Sequence, residues 1–202
     1  MSSSGVIGID PALGRSGWAL LVNREHPTLL ASGVVETGSD PRGRQLMVIH
    51  DGFAAILRHH LPSAVYVEQP GQRIGQETTR SSVEALAMSR GCIVMAATRE
   101  GLAVEEVDFH EVRRSLLGRW KAGKRDVVDL LRVLDLLTFL DNDKGPDLDV
   151  ADATLLALYG LLSTGAITSH ADRVRTQAQA PQSDDRSCWQ ADARRAAPRR
   201  KP

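Results

Sequence analysis

The sequence predicts an α/β domain: a five-stranded mixed sheet, with three antiparallel strands followed by parallel ones, flanked by helices. Three observations lead there. Three short β-rich segments follow one another closely at the start of the chain. Two later strand-like runs are each preceded by a stretch of helical spacing. Beyond residue 109 only helical periodicity remains.

Val6–Asp10 is a short apolar run that ends in Asp-Pro, and Pro11 keeps Asp10 out of the helical region. Gly14-Arg15-Ser16-Gly17 reads as a turn, Trp18–Asn23 as a second strand and Thr28–Glu36 as a third, completing an antiparallel meander. From Pro41 to Leu61, the apolar residues Leu46, Ile49, Phe53, Ile56 and Leu57 recur at helical spacing. Ala64–Glu68 is a buried-type strand stopped by Pro70-Gly71. Thr78–Glu100 is a long helix whose second half is apolar around most of its circumference, so it is either sandwiched in the domain or shared with another subunit. Leu102–Val107 supplies the fifth strand. Helices His110–Leu117 and Lys124–Phe139 follow, then a polar loop at Asp141–Pro146 and a strongly apolar helix at Leu148–Leu162.

The 202 residues suit one domain over 1–165 plus a tail over 166–202 that lacks any apolar period and is expected to be disordered. Formal charge is balanced overall but unevenly spread. Residues 169–202 carry eight Lys/Arg against four Asp, which leaves 17 basic and 21 acidic side chains in residues 1–168. A net-acidic core argues mildly against nucleic-acid binding, less so if bound metal neutralises some carboxylates. No apolar run approaches the ~20 residues of a membrane span, and the first residues lack a basic segment followed by an apolar one. The cysteines, Cys92 and Cys188, form no Cys-x-x-Cys pair, so a reducing, cytoplasmic setting is expected.

Four carboxylates stand out by position. Asp10 and Glu68 end the first and fourth strands, where side chains face the crevice beyond the sheet's carboxyl edge. Asp149 and Asp152 lie three apart in the first turn of the last helix, on one face. If the first and fourth strands are neighbours, all four converge and repel one another unless hard cations lie among them. Mg²⁺ suits such oxygens, and two ions ~4 Å apart would activate water and stabilise the leaving oxygen in phosphodiester cleavage. Each residue also has a plainer reading: a turn Asp before Pro, a solvated Glu, and an Asp149 that complements the helix dipole after an Asp147 N-cap.

Ile7-Gly8-Ile9-Asp10-Pro11, with Gly17-Trp18-Ala19 in the next strand, resembles the opening of RuvC-type Holliday junction resolvases of the RNase H-like superfamily. Val67-Glu68-Gln69 is similar to their second motif, and Asp149-Val150-Ala151-Asp152-Ala153 to their Asp-x-x-Asp-Ala element. Between them, Arg90-Gly91, Gly101-Leu102-Ala103-Val104 and Gly123-Lys124-Arg125-Asp126-Val127-Val128 follow the family pattern in order, and the resemblance covers roughly residues 5–163.

The resemblance implies a homodimer that binds a four-way DNA junction and makes two symmetric nicks. Asp10, Glu68, Asp149 and Asp152 would be its metal-binding catalytic set, holding two Mg²⁺ for which Mn²⁺ would substitute. Lys124 would contact phosphate or stabilise transition-state charge, with Lys121 a second candidate. Arg113, Arg114, Arg119 and Arg125 mark a phosphate-binding face, joined by Arg15 and Arg73 as candidate DNA contacts. The helix 78–100 would form the dimer interface, although core packing explains its apolar residues equally well. The chain departs from the family pattern in having no aromatic between Gln69 and Ser82 to wedge against junction bases; Arg73 could stack there instead. That departure keeps two alternatives open: an RNase H-like nuclease of flaps, forks or hybrids, and a catalytically silent junction-binding protein.

Overall fold

The computed structural model describes residues 5–69, 80–119, 122–137, 141–142 and 145–164. Strands β1 (Gly5–Asp10), β2 (Arg15–Asn23) and β3 (Pro27–Glu36) form the antiparallel meander. After helix α1 (Arg42–His60), strand β4 (Ala64–Gln69) lies parallel to β1. Helix α2 (Arg80–Arg99) then leads to β5 (Ala103–Asp108), parallel to β4. The sheet order is β3-β2-β1-β4-β5, three antiparallel strands followed by two parallel ones, with the first and fourth strands side by side. Helices α3 (Phe109–Leu117), α4 (Lys124–Val133) and α5 (Leu148–Ser163) complete the domain.

Strand periodicity of two divides the core between the sheet's faces. Ile7, Ile9, Leu20, Val65 and Val67 pack with Ile49, Phe53 and Leu57 of α1 and Ile93, Ala96 and Ala97 of α2. Val6, Ala19, Leu21, Tyr66 and Val107 face the other way, onto α3, α4 and α5. Helix α5 is buried almost all round, from Val150 to Leu158 and again at Gly160 and Leu161, which explains its lack of a polar face.

The approach of α5 to the sheet depends on glycines. A Cβ on Gly8 would run into the backbone of Ala153 and Ala157, and one on Gly17 into the backbone at Asp149 and Val150. Gly8 lies two residues before Asp10 on the same strand face, and Gly17 is the cross-strand partner of Asp10. Two missing side chains therefore let the first turns of α5 seat beside the end of β1.

Several boundaries differ from the sequence reading. The expected turn at residues 14–17 is largely strand: β2 starts at Arg15, which pairs with Glu36 at the end of β3. The helix expected over Lys124–Phe139 stops at Val133, because Asp135 takes a left-handed conformation (φ 56°) and turns Leu136 and Leu137 into the core. The expected polar loop at 141–146 contains a small ladder, β6 (Asp141–Asn142) against β7 (Gly145–Pro146). Helix α2 is not sandwiched. It packs one face on α1, β4 and β5 and leaves Val83, Met88 and Met95 exposed. The expected tail over 166–202 lies outside the described residues.

Gly8→Ala should lower unfolding free energy by about 1–3 kcal/mol through overpacking against α5. Gly43→Ala, in the first turn of α1 where the added methyl meets nothing, should not lower it and should raise it by up to about 1 kcal/mol. Urea denaturation of the two variants reads the difference.

Candidate active site

Asp10 closes β1 and Glu68 lies near the end of β4. Because the strands are parallel neighbours with Ile9 opposite Val67, the two carboxyls leave adjacent strand ends on the α5 face, in line with Val6 and Tyr66. They share a hydrogen bond. Asp147 caps α5, its Oδ1 accepting from the backbone N–H groups of Asp149 (3.2 Å) and Val150 (3.3 Å). This fixes the first turn, from which Asp149 and Asp152 project on one side. Asp152 is 4% exposed.

The structure thus brings all four expected carboxylates within electrostatic reach of one another, and the titration of Asp10 records it. Burial of its carboxyl, then Glu68, Asp152 and Asp149, push it up to about 9. Burial likewise raises Asp152, opposed by Lys124 and Arg113. Lys124 Nζ lies 3.3 Å from Asp152 Oδ2 and 4.0 Å from Asp149 Oδ1. Arg113 lies across the ring of Phe109, 4.4 Å from its centroid, with Nη2 3.7 Å from Asp152 Oδ1. That oxygen and Arg113 Nε are both buried without a hydrogen bond.

Every acid here offers hard oxygen donors, and Asp152 Oδ1 is a desolvated acceptor with nothing bonded to it. Both features fit a hard divalent cation. Among the described residues, no three His, Cys, Asp or Glu side chains are already closed into a coordinating group. The reason is local. Asp10 is hydrogen-bonded to Glu68, while Asp149 is held by an ion pair to Arg15. Loading would require Asp10 to part from Glu68, and the oxygens of Asp149 and Asp152 that face Lys124 to turn to the cation.

Arg15 is placed otherwise than expected. Rather than standing free for DNA, its guanidinium binds Asp147 through two nitrogens, Asp149 through Nη1, and Glu36 Oε1 through Nε at 3.2 Å. The Asp147 carboxyl is accordingly held below its ordinary range, chiefly by Arg15. Arg113, also expected to face DNA, is directed inward to Asp152. Arg114, Arg119 and Arg125 are exposed near the α3–α4 connection, Arg119 pairing with Asp126 at 3.1 Å. Arg73 and Lys121 lie outside the described residues. The tie from Arg15 to Asp147 had no sequence signal, since it spans 132 positions. Among the described residues, no helix is long and apolar enough to cross a membrane.

Comparison with known proteins accords with this arrangement. The family model "Crossover junction endodeoxyribonuclease RuvC" matches residues 6–159. The chain is 31% identical over 156 residues to the crossover junction endodeoxyribonuclease RuvC of Bradyrhizobium diazoefficiens, covering 76% of this chain and 83% of that one. It is 33% identical over 163 residues to the Prochlorococcus marinus protein of the same name, covering 79% and 98%. In fold it is similar to Thermus thermophilus RuvC in complex with Holliday junction substrate, with a TM-score of 0.65, 23% identity, and coverage of 80% of this chain and 94% of that one. The yeast mitochondrial Holliday junction resolvase gives a TM-score of 0.60 at 14% identity, covering 87% and 85%. A family match that spans the strand-end acids and the first turn of α5 alike means that this chain belongs to the RuvC family of crossover junction endodeoxyribonucleases.

Proposed function

We propose that this protein resolves four-way DNA junctions by paired symmetric nicks, using divalent cations held by Asp10, Glu68, Asp149 and Asp152. The observation that carries this reading is the convergence of the four carboxylates at the ends of β1 and β4 and the start of α5, in a chain of the RuvC family. Two Mg²⁺ ions, replaceable by Mn²⁺, would supply an activated water and charge stabilisation at the leaving oxygen. The protein's part is to hold the carboxylates on rigid elements, with Asp10 giving up its proton on loading. Lys124, beside Asp149 and Asp152, is placed to balance negative charge that grows on the phosphodiester. The exposed Arg114, Arg119 and Arg125 would grip the DNA backbone beside it.

The nuclease unit is assigned to residues 1–165 and the basic stretch 166–202 to a separate tail that adds nonspecific DNA affinity, a division supported by the family match over 6–159. Pairing of the nicks calls for two active sites, and the exposed Val83, Met88 and Met95 of α2 offer the apolar surface for a homodimer. A bacterial-type resolvase of this kind would act in the cytoplasm.

Asp10→Asn should reduce nicking of a synthetic four-way junction in Mg²⁺ on the order of a thousandfold while leaving junction binding intact. Wild-type cleavage rates in that variant would sink the assignment. A fork, flap and RNA–DNA hybrid run beside the junction should be cut more slowly than it.

Without metal, the raised titration of Asp10 has a definite sign. The folded state keeps the proton between the ordinary carboxyl range and pH about 9, so stability is greatest in acid and falls as pH rises through that window. In EDTA, wild type should lose more thermal stability than Asp10→Asn between pH 5 and 8.5. Added Mg²⁺ should restore wild type alone, because the cation binds only the folded site. Parallel pH profiles for the two proteins would contradict the burial of repelling carboxyls at Asp10.

A further inference from the structure

Asp149 is held from two directions by one side chain. Its backbone N–H is bonded to Asp147 Oδ1 in the α5 cap, and the Asp147 carboxylate is itself gripped by Arg15 through both Nη1 and Nη2. Its side chain gives Oδ2 directly to Arg15 Nη1, and Oδ1 faces Lys124, whose ammonium it shares with Asp152. Arg15 is in turn steadied by Glu36, its cross-strand partner at the end of β3. One guanidinium therefore ties together the start of β2, the end of β3 and the first turn of α5.

We infer that Arg15 is a positioning residue for the metal site: by occupying Oδ2 of Asp149 and clamping the Asp147 cap, it presents Oδ1 of Asp149 on the side of Asp152. The inference rests on the proposed role of Asp149 as a metal ligand. Carboxylates that bind metal are held in orientation by hydrogen bonds from outside the coordination sphere, and losing such a bond weakens metal affinity about 10–100-fold. The fork geometry matters, since a lysine carries the charge but has a single nitrogen, which cannot give two parallel bonds to Asp147 while also reaching Asp149 and Glu36. Arg15 is 36% exposed at its side chain and each of its three nitrogens is directed at an acid, so its hydrogen bonds are spent mainly inside the protein rather than on a phosphate.

The test is Mn²⁺ binding to the full chain without DNA, read by electron paramagnetic resonance of the free ion, for wild type, Arg15→Gln, Arg15→Lys, Glu36→Gln and Asp10→Asn. Positioning predicts affinity about tenfold or more weaker in both Arg15 variants, with junction binding in EDTA within about twofold of wild type. The sign is diagnostic, because removing a cation beside the site would by Coulomb attraction alone tighten a dication. Unchanged or tighter Mn²⁺ binding in Arg15→Gln overturns the inference. So does wild-type affinity in Arg15→Lys, which would assign the effect to charge. Weakened junction binding with normal Mn²⁺ affinity overturns it too, as the mark of a phosphate contact. If Arg15→Gln fails to fold by circular dichroism, the exposed Glu36→Gln decides: a severalfold loss of Mn²⁺ affinity supports the clamp and wild-type affinity removes it. Asp10→Asn separates the two levels. Normal Mn²⁺ binding there defeats the metal-site reading and this inference together, whereas weakening there but not in Arg15→Gln defeats this inference alone.

Discussion

The contact on which this molecule turns is backbone against backbone, where the first turns of α5 meet the ends of β1 and β2. Gly8 and Gly17 have no Cβ to hold the helix away, so Ala153, Ala157 and Asp149 lie directly on the strands. Asp10 is two residues from one of these glycines and opposite the other, so the same contact fixes how near Asp149 and Asp152 come to the strand-end carboxyls. A helix with a strong apolar stripe could dock on this sheet with larger residues at both positions, but at a greater distance. Its acids would then stand in solvent and titrate normally.

Closeness creates an electrostatic problem that the fold answers unevenly. On the α5 side, Arg15, Lys124 and Arg113 surround Asp147, Asp149 and Asp152 with fixed positive charge. On the strand side, every influence on Asp10 raises its titration, and the Asp10–Glu68 pair manages by sharing a proton. Buried charges are tolerated when paired and are neutralised when they are not. Both answers are present in one crevice, where Asp149 and Asp152 are felt at Asp10.

Much of this could be read from the sequence because it follows from short-range pattern. Asp-Pro ends a strand, Val-Glu-Gln ends another, and an i, i+3 pair on a helix shares a face whatever surrounds it. The adjacency of the first and fourth strands, on which the meeting of Asp10 and Glu68 depends, was left open by those patterns and is decided by the parallel register of β1 and β4. The early end of α4 was not legible either, because it depends on a left-handed Asp135 and on Leu136 and Leu137 finding the core, a tertiary gain that periodicity ignores. Nor was the destination of Arg15. A basic residue near a suspected DNA site reads as a phosphate contact until the strand register sets it opposite Glu36 and the docking of α5 brings Asp147 beneath it. Long-range charge pairing leaves no trace in local spacing.

The uneven charge pattern also bears on how the site is loaded. A dication entering between Asp149 and Asp152 must compete with the ammonium and guanidinium groups already there, which weakens its net gain. At Asp10 it would instead displace the proton shared with Glu68 and relieve a repulsion that the fold otherwise carries. A cation held at the strand ends would therefore offset a repulsion at Asp10 that no fixed charge opposes. Bound there, it would offset the repulsion that raises Asp10 and let that carboxyl serve as an oxygen ligand. On the α5 side the fixed cations have a further part, since Lys124 and Arg113 oppose the effect of burial on Asp152 while Arg15 holds Asp149 in place.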